Sequence, residues 1–148
     1  MLVDERGTPR PLLDKLAAYG NPRFSPDGRR IALDLPSPTT DVWVYDRVGR
    51  TLDRITTTGD NDRPEGTRDG KRLFFRTTRT GLASLFSQPV GGSGSADSLL
   101  TFSEGVHEGT MAADGRTLVF RTAQAGGARD IWSVRLGDGE PPRPVVAT

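Results

Sequence analysis

Ser25-Pro26-Asp27-Gly28-Arg29-Arg30-Ile31-Ala32-Leu33 reads as a turn feeding an apolar strand, and the chain repeats that phrase twice more. The second copy is Thr67-Arg68-Asp69-Gly70-Lys71-Arg72-Leu73-Phe74-Phe75, the third Ala112-Ala113-Asp114-Gly115-Arg116-Thr117-Leu118-Val119-Phe120. The three Asp-Gly pairs stand 42 and then 45 residues apart. Asp-Gly supplies the positive-φ residues of a tight hairpin, so each copy predicts a first strand turning back into a second. The second strand is apolar on consecutive positions, as expected where both faces are covered by neighbours.

Working outward, a third strand follows each second one: Asp41-Val42-Trp43-Val44-Tyr45, then Ser84-Leu85-Phe86-Ser87, then Asp130-Ile131-Trp132-Ser133-Val134. An aromatic occupies the same place each time, at Trp43, Phe86 and Trp132. With Tyr45, Phe74, Phe75 and Phe120 these read as packing residues between sheets. A fourth strand closes each unit, at Leu52 to Thr56, Leu99 to Phe102 and Arg143 to Ala147. Pro36 to Thr40, Gly91 to Ser98 and Leu136 to Pro142 are rich in Gly, Pro and Ser and read as surface loops.

A repeat of this length built from four strands is the unit of a β-propeller blade. The fold class is therefore all-β: a partial β-propeller of three complete four-stranded antiparallel blades plus an N-terminal half-blade. The boundaries are 1–18 for the half-blade, 19–58, 59–103 and 104–148 for the blades. The half-blade rests on an echo, Gly7-Thr8-Pro9-Arg10-Pro11-Leu12-Leu13 matching Glu140-Pro141-Pro142-Arg143-Pro144-Val145-Val146. Leu2 to Glu5 and Pro11 to Leu13 would then be the third and fourth strands of a blade that the chain enters midway. A second reading makes Leu12 to Tyr19 a short helix, because Leu12, Leu13, Leu16 and Ala17 have helical spacing.

Composition narrows the function classes. There is no Cys, so disulfides, thiolate zinc sites and thiol catalysis are excluded. Twenty basic residues stand against nineteen acidic ones, both signs mixed along the chain; no nucleic-acid stripe is present. No apolar stretch is long enough to insert in a bilayer.

Asn21-Pro22-Arg23-Phe24-Ser25-Pro26-Asp27-Gly28-Arg29-Arg30-Ile31-Ala32 and Asp41-Val42-Trp43-Val44-Tyr45-Asp46 resemble the Ser-Pro-Asp-Gly and Asp-Ile-Trp signatures of TolB-like, WD40-like bacterial propellers. The order of segments is similar, more narrowly, to the C-terminal propeller of bacterial serine/threonine protein kinases. The resemblance covers essentially the whole chain. It implies six blades in a closed ring and an extracytoplasmic or periplasmic setting. Thr67-Arg68, Ala112-Ala113 and Ser84 depart from the signatures and are expected to weaken local turn and cross-strand hydrogen bonding.

Catalytic motifs are missing. No kinase Gly-rich loop, His-Arg-Asp or Asp-Phe-Gly occurs. Gly66 to Lys71 lacks the spacing of a phosphate loop, and Arg72 stands where Ser or Thr is required. Gly91 to Ser95 misses the nucleophile-elbow spacing. His107 is the only histidine, with no serine presented to it. Asp60-Asn61-Asp62 begins like a calcium loop, but Pro64 and Lys71 replace oxygen ligands. No catalytic residue, metal or cofactor is expected.

What remains is a binding surface. The connections from each fourth strand to the next first strand should open at the channel mouth. They carry Tyr19 and Asn21, then Asn61, Asp62 and Arg63, then His107 and Glu108. Loops on a rigid scaffold commonly bind partners, and these seven residues are the candidates for holding a protein, peptide or glycan. The alternatives are a sensory propeller fragment of a kinase and a piece of the propeller that gates a serine peptidase. An arc of three and a half blades leaves blade faces open, so a homo-oligomer, or completion by further blades, is expected.

Overall fold

The computed structural model describes residues 1–13, 17–36, 38–92, 94–122 and 129–146. Its described residues form fourteen strands and no helix. Three four-stranded antiparallel sheets follow one another along the chain. The first contains β3 (Gly20–Phe24), β4 (Arg30–Pro36), β5 (Thr40–Asp46) and β6 (Thr51–Arg54). The second contains β7 (Asn61–Gly66), β8 (Arg72–Thr77), β9 (Ser84–Pro89) and β10 (Asp97–Leu100). The third contains β11 (Val106–Met111), β12 (Thr117–Thr122), β13 (Ile131–Arg135) and β14 (Arg143–Val146). Each sheet pairs its strands in chain order, as a propeller blade does.

The N-terminal pair differs in detail from the expected half-blade. β1 (Leu2–Val3) pairs with β2 (Pro9–Arg10), Leu2 opposite Arg10. Asp4 ends β1 early: its Oδ1 accepts the Arg6 and Thr8 N–H groups, each at 2.9 Å, and Gly7 turns at φ +79°. An aspartate that captures its own downstream backbone makes a turn where the apolar echo suggested more strand. The second strand accordingly falls at Pro9–Arg10 and not at Pro11 to Leu13. Residues 14–16, at the centre of the alternative helix, lie outside the described residues. So do Ser37, Ser93 and 123–128, within or beside the expected loops and the Gly91 to Ser95 segment, and Ala147, the expected end of the last strand.

The turns after β3, β7 and β11 are near copies. Ser25 N–H donates to Arg30 O at 2.9 Å, and Gly28 N–H to Ser25 O at 2.8 Å. The same bonds recur at Thr67 with Arg72 and Gly70, and at Ala112 with Thr117 and Gly115. Gly28, Gly70 and Gly115 all sit at φ +68°, while the preceding aspartates are not left-handed. Each loop is thus a four-residue turn needing one glycine.

Each turn nonetheless keeps a bond between a hydroxyl and its aspartate. In the first, Ser25 Oγ meets Asp27 Oδ1 at 2.6 Å; in the second, Thr67 Oγ1 meets Asp69 Oδ1 at 2.6 Å. In the third, Ala112 has no hydroxyl, and Thr117 Oγ1 donates to Asp114 Oδ2 from the other side, at 2.6 Å. Hydroxyl and backbone donors hold all three carboxyl groups below their usual range, Asp114 at about 2.

The middle blade is covered on both faces. Leu73, Phe75 and Phe86 pack with Ala32, Val42, Val44 and Ile55 of the first blade. Phe74 and Leu85 pack with Val106, Leu118, Phe120 and Val134 of the third. That is why Leu73-Phe74-Phe75 carries no polar alternation. β12 shows the contrast: Leu118 and Phe120 are buried and Val119 and Arg121 only half-buried. One face of the third blade has no sheet against it among the described residues. Of the strand aromatics, Tyr45, Phe74, Phe75, Phe86 and Phe120 are buried, while Trp43 and Trp132 are half-buried.

Candidate functional site

β3, β7 and β11, the first strands of the three blades, line a common cleft of about 380 Å³. Its wall takes Asn21 and Arg23 from β3, Arg63, Pro64 and Glu65 from β7, and Glu108, Gly109 and Thr110 from β11. Asn21, Arg63 and Glu108 each lie six residues before the aspartate of their turn. They share one offset in the sequence, but in the ladder Glu108 stands where Gly20 and Asp62 do, because the third blade takes its extra residue one position earlier, at His107. Arg23, Glu65 and Thr110 form a second tier, two residues further along, where a strand returns to the same face.

The candidates were expected in loops, yet all but Tyr19 lie within the first strands themselves. The reason is a bulge at each strand opening. Pairing shifts between Gly20 and Arg23, between Asp62 and Glu65, and between Val106 and Glu108. Bulges bend a strand and re-aim its side chains while the ladder continues. Asn21 at φ 44° and Arg63 at φ 53° adopt the left-handed backbone inside the first two bulges. Asn tolerates that region well; for Arg it is an observed strain.

Of the seven candidates, the cleft brings together Asn21, Arg63 and Glu108. Asn61 has a different role. It is fully buried, donating to Thr58 O at 3.1 Å and Gly59 O at 2.9 Å and accepting from Arg79 Nη2 at 3.1 Å. Asp62 accepts from Arg76 Nη1 through both oxygens, each at 3.1 Å. At the corresponding place in the third blade, Glu108 Oε1 pairs with Arg121 Nη2 at 2.9 Å. The first blade reverses the arrangement, with Gly20 opposite Asp34. A Cβ on Gly20 would lie 2.0 Å from Asp34 Oδ1, so any larger residue there must displace the Asp34 carboxylate. Asp34, 5% exposed, accepts the Asn21 amide at 2.7 Å and the Arg63 backbone N–H at 3.0 Å. Tyr19 is half-buried beside Gly20 and does not line the cleft.

His107 is half-buried, and Arg129 Nη1 lies 3.0 Å from its Nε2. Burial first, then Arg63, Arg129 and Arg121, hold its pKa below the ordinary value, against a smaller upward pull from Glu108. The ring is therefore neutral at physiological pH and accepts the Arg129 proton donor.

Arg23, Glu65, Thr110 and Arg121 were missed in the sequence. Period-two spacing from Asn21, Arg63 and Glu108 would have found the first three; nothing in the sequence marks Arg121. Among the described residues no three His, Asp or Glu side chains gather where a metal could bind. A second cleft of about 420 Å³ lies between the Ser25 and Arg68 turns. Its carboxylates, Asp27 and Asp69, are the ones committed to those turns.

By sequence the chain matches no family model and no curated protein. By structure it overlies TolB from Acinetobacter baumannii with a TM-score of 0.82 and 22% identity, over 97% of this chain and 36% of that one. A TolB-like protein of Agrobacterium tumefaciens, described as putative TolB, gives 0.82 and 23%, over 95% of this chain and 53% of the other. The fold is a TolB-like β-propeller. The chain spans between about a third and a half of those structures. A prolyl endopeptidase structure is also similar, at TM-score 0.72 and 15% identity, over 97% of this chain and 25% of that one.

Proposed function

We propose that this propeller segment is a non-catalytic scaffold that binds a protein or peptide partner along the cleft between its first strands. The observation that carries the reading is the convergence of Asn21, Arg63 and Glu108, from the first strands of three successive blades, on a single cleft. Its volume falls in the range of about 300–1,000 Å³ typical of ligand sites. The wall favours a peptide over a glycan. Its one aromatic, Phe120, is 2% exposed and offers no face for a sugar to stack on, whereas amide, guanidinium and carboxylate groups suit a polypeptide.

Selection of peptides from a displayed library against the purified chain tests this. The selected peptides should bind the wild type and lose most of their affinity when Asn21, Arg63 and Glu108 are changed together to Ala. Equal affinity for the triple variant, or no selected binders, overturns the reading. The purified chain should also show neither ATP-dependent phosphorylation nor peptidase activity. Activity that survives repurification and vanishes on one substitution would make it an enzyme. The likeness to a prolyl endopeptidase supports a second reading, part of a gating propeller, favoured if a hydrolase domain continues the same reading frame.

A further inference from the structure

Around the cleft, every carboxylate has its own donor. Asp34 holds the Asn21 amide and the Arg63 backbone, and Asp62 holds Arg76. Glu65 Oε1 accepts from Thr110 Oγ1 at 2.7 Å and from Met111 N–H at 3.3 Å, and Glu108 pairs with Arg121. The Arg63 side chain has no such partner among the described residues. Its Nε is sealed from solvent and makes no hydrogen bond, and its backbone is held left-handed at φ 53°. Arg121 Nε is sealed and unbonded in the same way. Arg63 is thus left without a carboxylate of its own, whereas Arg121 keeps Glu108 through Nη2.

We infer that Arg63, with Arg121 and the Arg129–His107 pair beside it, forms a carboxylate site for an acidic residue of the bound peptide. This rests on the cleft being the peptide site. A planar guanidinium pairs with a carboxylate through parallel N–H donors. The retained charge of Glu108 favours a monoanion over a doubly charged phosphate. His107 is faced by Arg63 from β7, Arg121 from β12 and Arg129 at the start of the last hairpin, with Glu108 beside it on its own strand. An incoming carboxylate would offset those three cations and bring the ring's pKa back up.

The chain's single histidine makes this readable, because its ring resonances by NMR need no assignment. The His107 pKa is measured at fixed ionic strength in four conditions: no addition, acetyl-Asp-Asp-Asp-amide, acetyl-Asn-Asn-Asn-amide and inorganic phosphate. The aspartyl peptide should raise it by about 0.5 or more, the asparaginyl peptide should leave it unchanged, and phosphate should act less than the aspartyl peptide. Arg63→Asn suits the left-handed backbone, as Asn21 does in the first blade. It should weaken the aspartyl peptide about tenfold, and Arg63→Lys should recover part of the loss.

An unmoved pKa with the aspartyl peptide, or an equal rise in Arg63→Asn, overturns the site. A stronger response to phosphate than to the peptide overturns the carboxylate assignment. Library peptides that bind the cleft but ignore Asp-to-Asn replacement leave the binding scaffold standing and remove only this inference.

Discussion

Phe74 and Phe75 are neighbours on β8 and serve different junctions, Phe75 packing toward the first blade and Phe74 toward the third. Around Phe75 the apolar wedge is sewn with buried polar bonds. Asp41, 1% exposed, accepts from Thr56 Oγ1 at 2.8 Å, from Arg54 Nη2 and, across the junction, from Asn61 Nδ2 at 3.4 Å. Gln88 Nε2 reaches Ile55 O at 3.0 Å, and the Arg63 backbone reaches Asp34. Around Phe74 the wedge is apolar, extended by Phe102, edge-on to Phe120 and tilted against Trp132 at ring-centroid distances of 5.3 and 4.9 Å. Its cross-blade side-chain bonds lie at the surface or half-buried, Thr110 and Met111 N–H to Glu65 and Arg68 to Ala113 O, and one buried backbone bond crosses, Val106 N–H to Ala83 O at 2.8 Å. Apolar wedges supply most of the stability of both junctions, since burial is non-directional. Directed polar bonds fix the spacing of the first two blades, and a fully satisfied buried network is rigid and specific.

The largest expected effect is on a junction that is not formed. Val119, Arg121 and Ile131, which also line the cleft, share the face of the third blade that no sheet covers among the described residues, and Ile131 and Val146 are 37% and 50% exposed. Light scattering on the purified chain should give the mass of at least two copies, and Val119→Lys with Ile131→Lys should lower it. A monodisperse monomer that binds no apolar dye would show that the blade needs no cover.

Next, Phe74→Ala and Phe75→Ala should each cost about 3–5 kcal/mol by chemical denaturation. Asp41→Ala should approach them, at about 3 kcal/mol, because it strands the buried Thr56 hydroxyl and breaks the pair with Arg54. Glu65→Gln, at the other junction, should cost under about 1 kcal/mol. Equal costs for Asp41→Ala and Glu65→Gln would erase the distinction between the two junctions.

The propeller was legible because it rests on local signals that repeat: a turn glycine, an unbroken apolar run and a fixed aromatic. The cleft was only half legible. The shared offset of Asn21, Arg63 and Glu108 from the turn was visible, but the bulges that put Asn21 and Arg63 out of register with Glu108 were not. The extra residue sits at Asn21 and Arg63 in two blades and at His107 in the third. A one-residue slip moves a side chain to the other face. Asn61 looked like its polar neighbours, and only its contacts across the blade junction reveal it as buried. The third turn shows the reverse case, where Thr117 supplies from β12 the hydroxyl that Ala112 lacks.

The turns should respond alike where the junctions do not. Gly70→Val and Gly115→Val should each cost about 1–3 kcal/mol, since both glycines sit at φ +68°. Around Gly115 nothing lies within 4 Å of an added Cβ, and around Gly70 only Pro26 Cδ, at 4.0 Å. The loss is therefore one of backbone strain. An unchanged midpoint in both variants would mean that the turn does not need its glycine.

The smallest effect is a pH dependence confined to the open side of the third blade. His107 has a folded pKa below its ordinary value, with burial the first cause and the guanidinium groups of Arg63, Arg129 and Arg121 the next. Below about pH 6.5 the unfolded chain takes up this proton more readily than the folded one. Stability contributed by the neutral ring is thus complete above that pH and is lost as pH falls through the folded value. The ring is only partly shielded, so solvent screening keeps the change well under about 1 kcal/mol. Thermal denaturation followed between pH 7 and 5 should show a slight fall that His107→Gln removes. The same fall in His107→Gln would place the titrating group elsewhere, and a rise in stability toward pH 5 would mean that the acidic neighbour, Glu108, dominates the ring and not the three arginines.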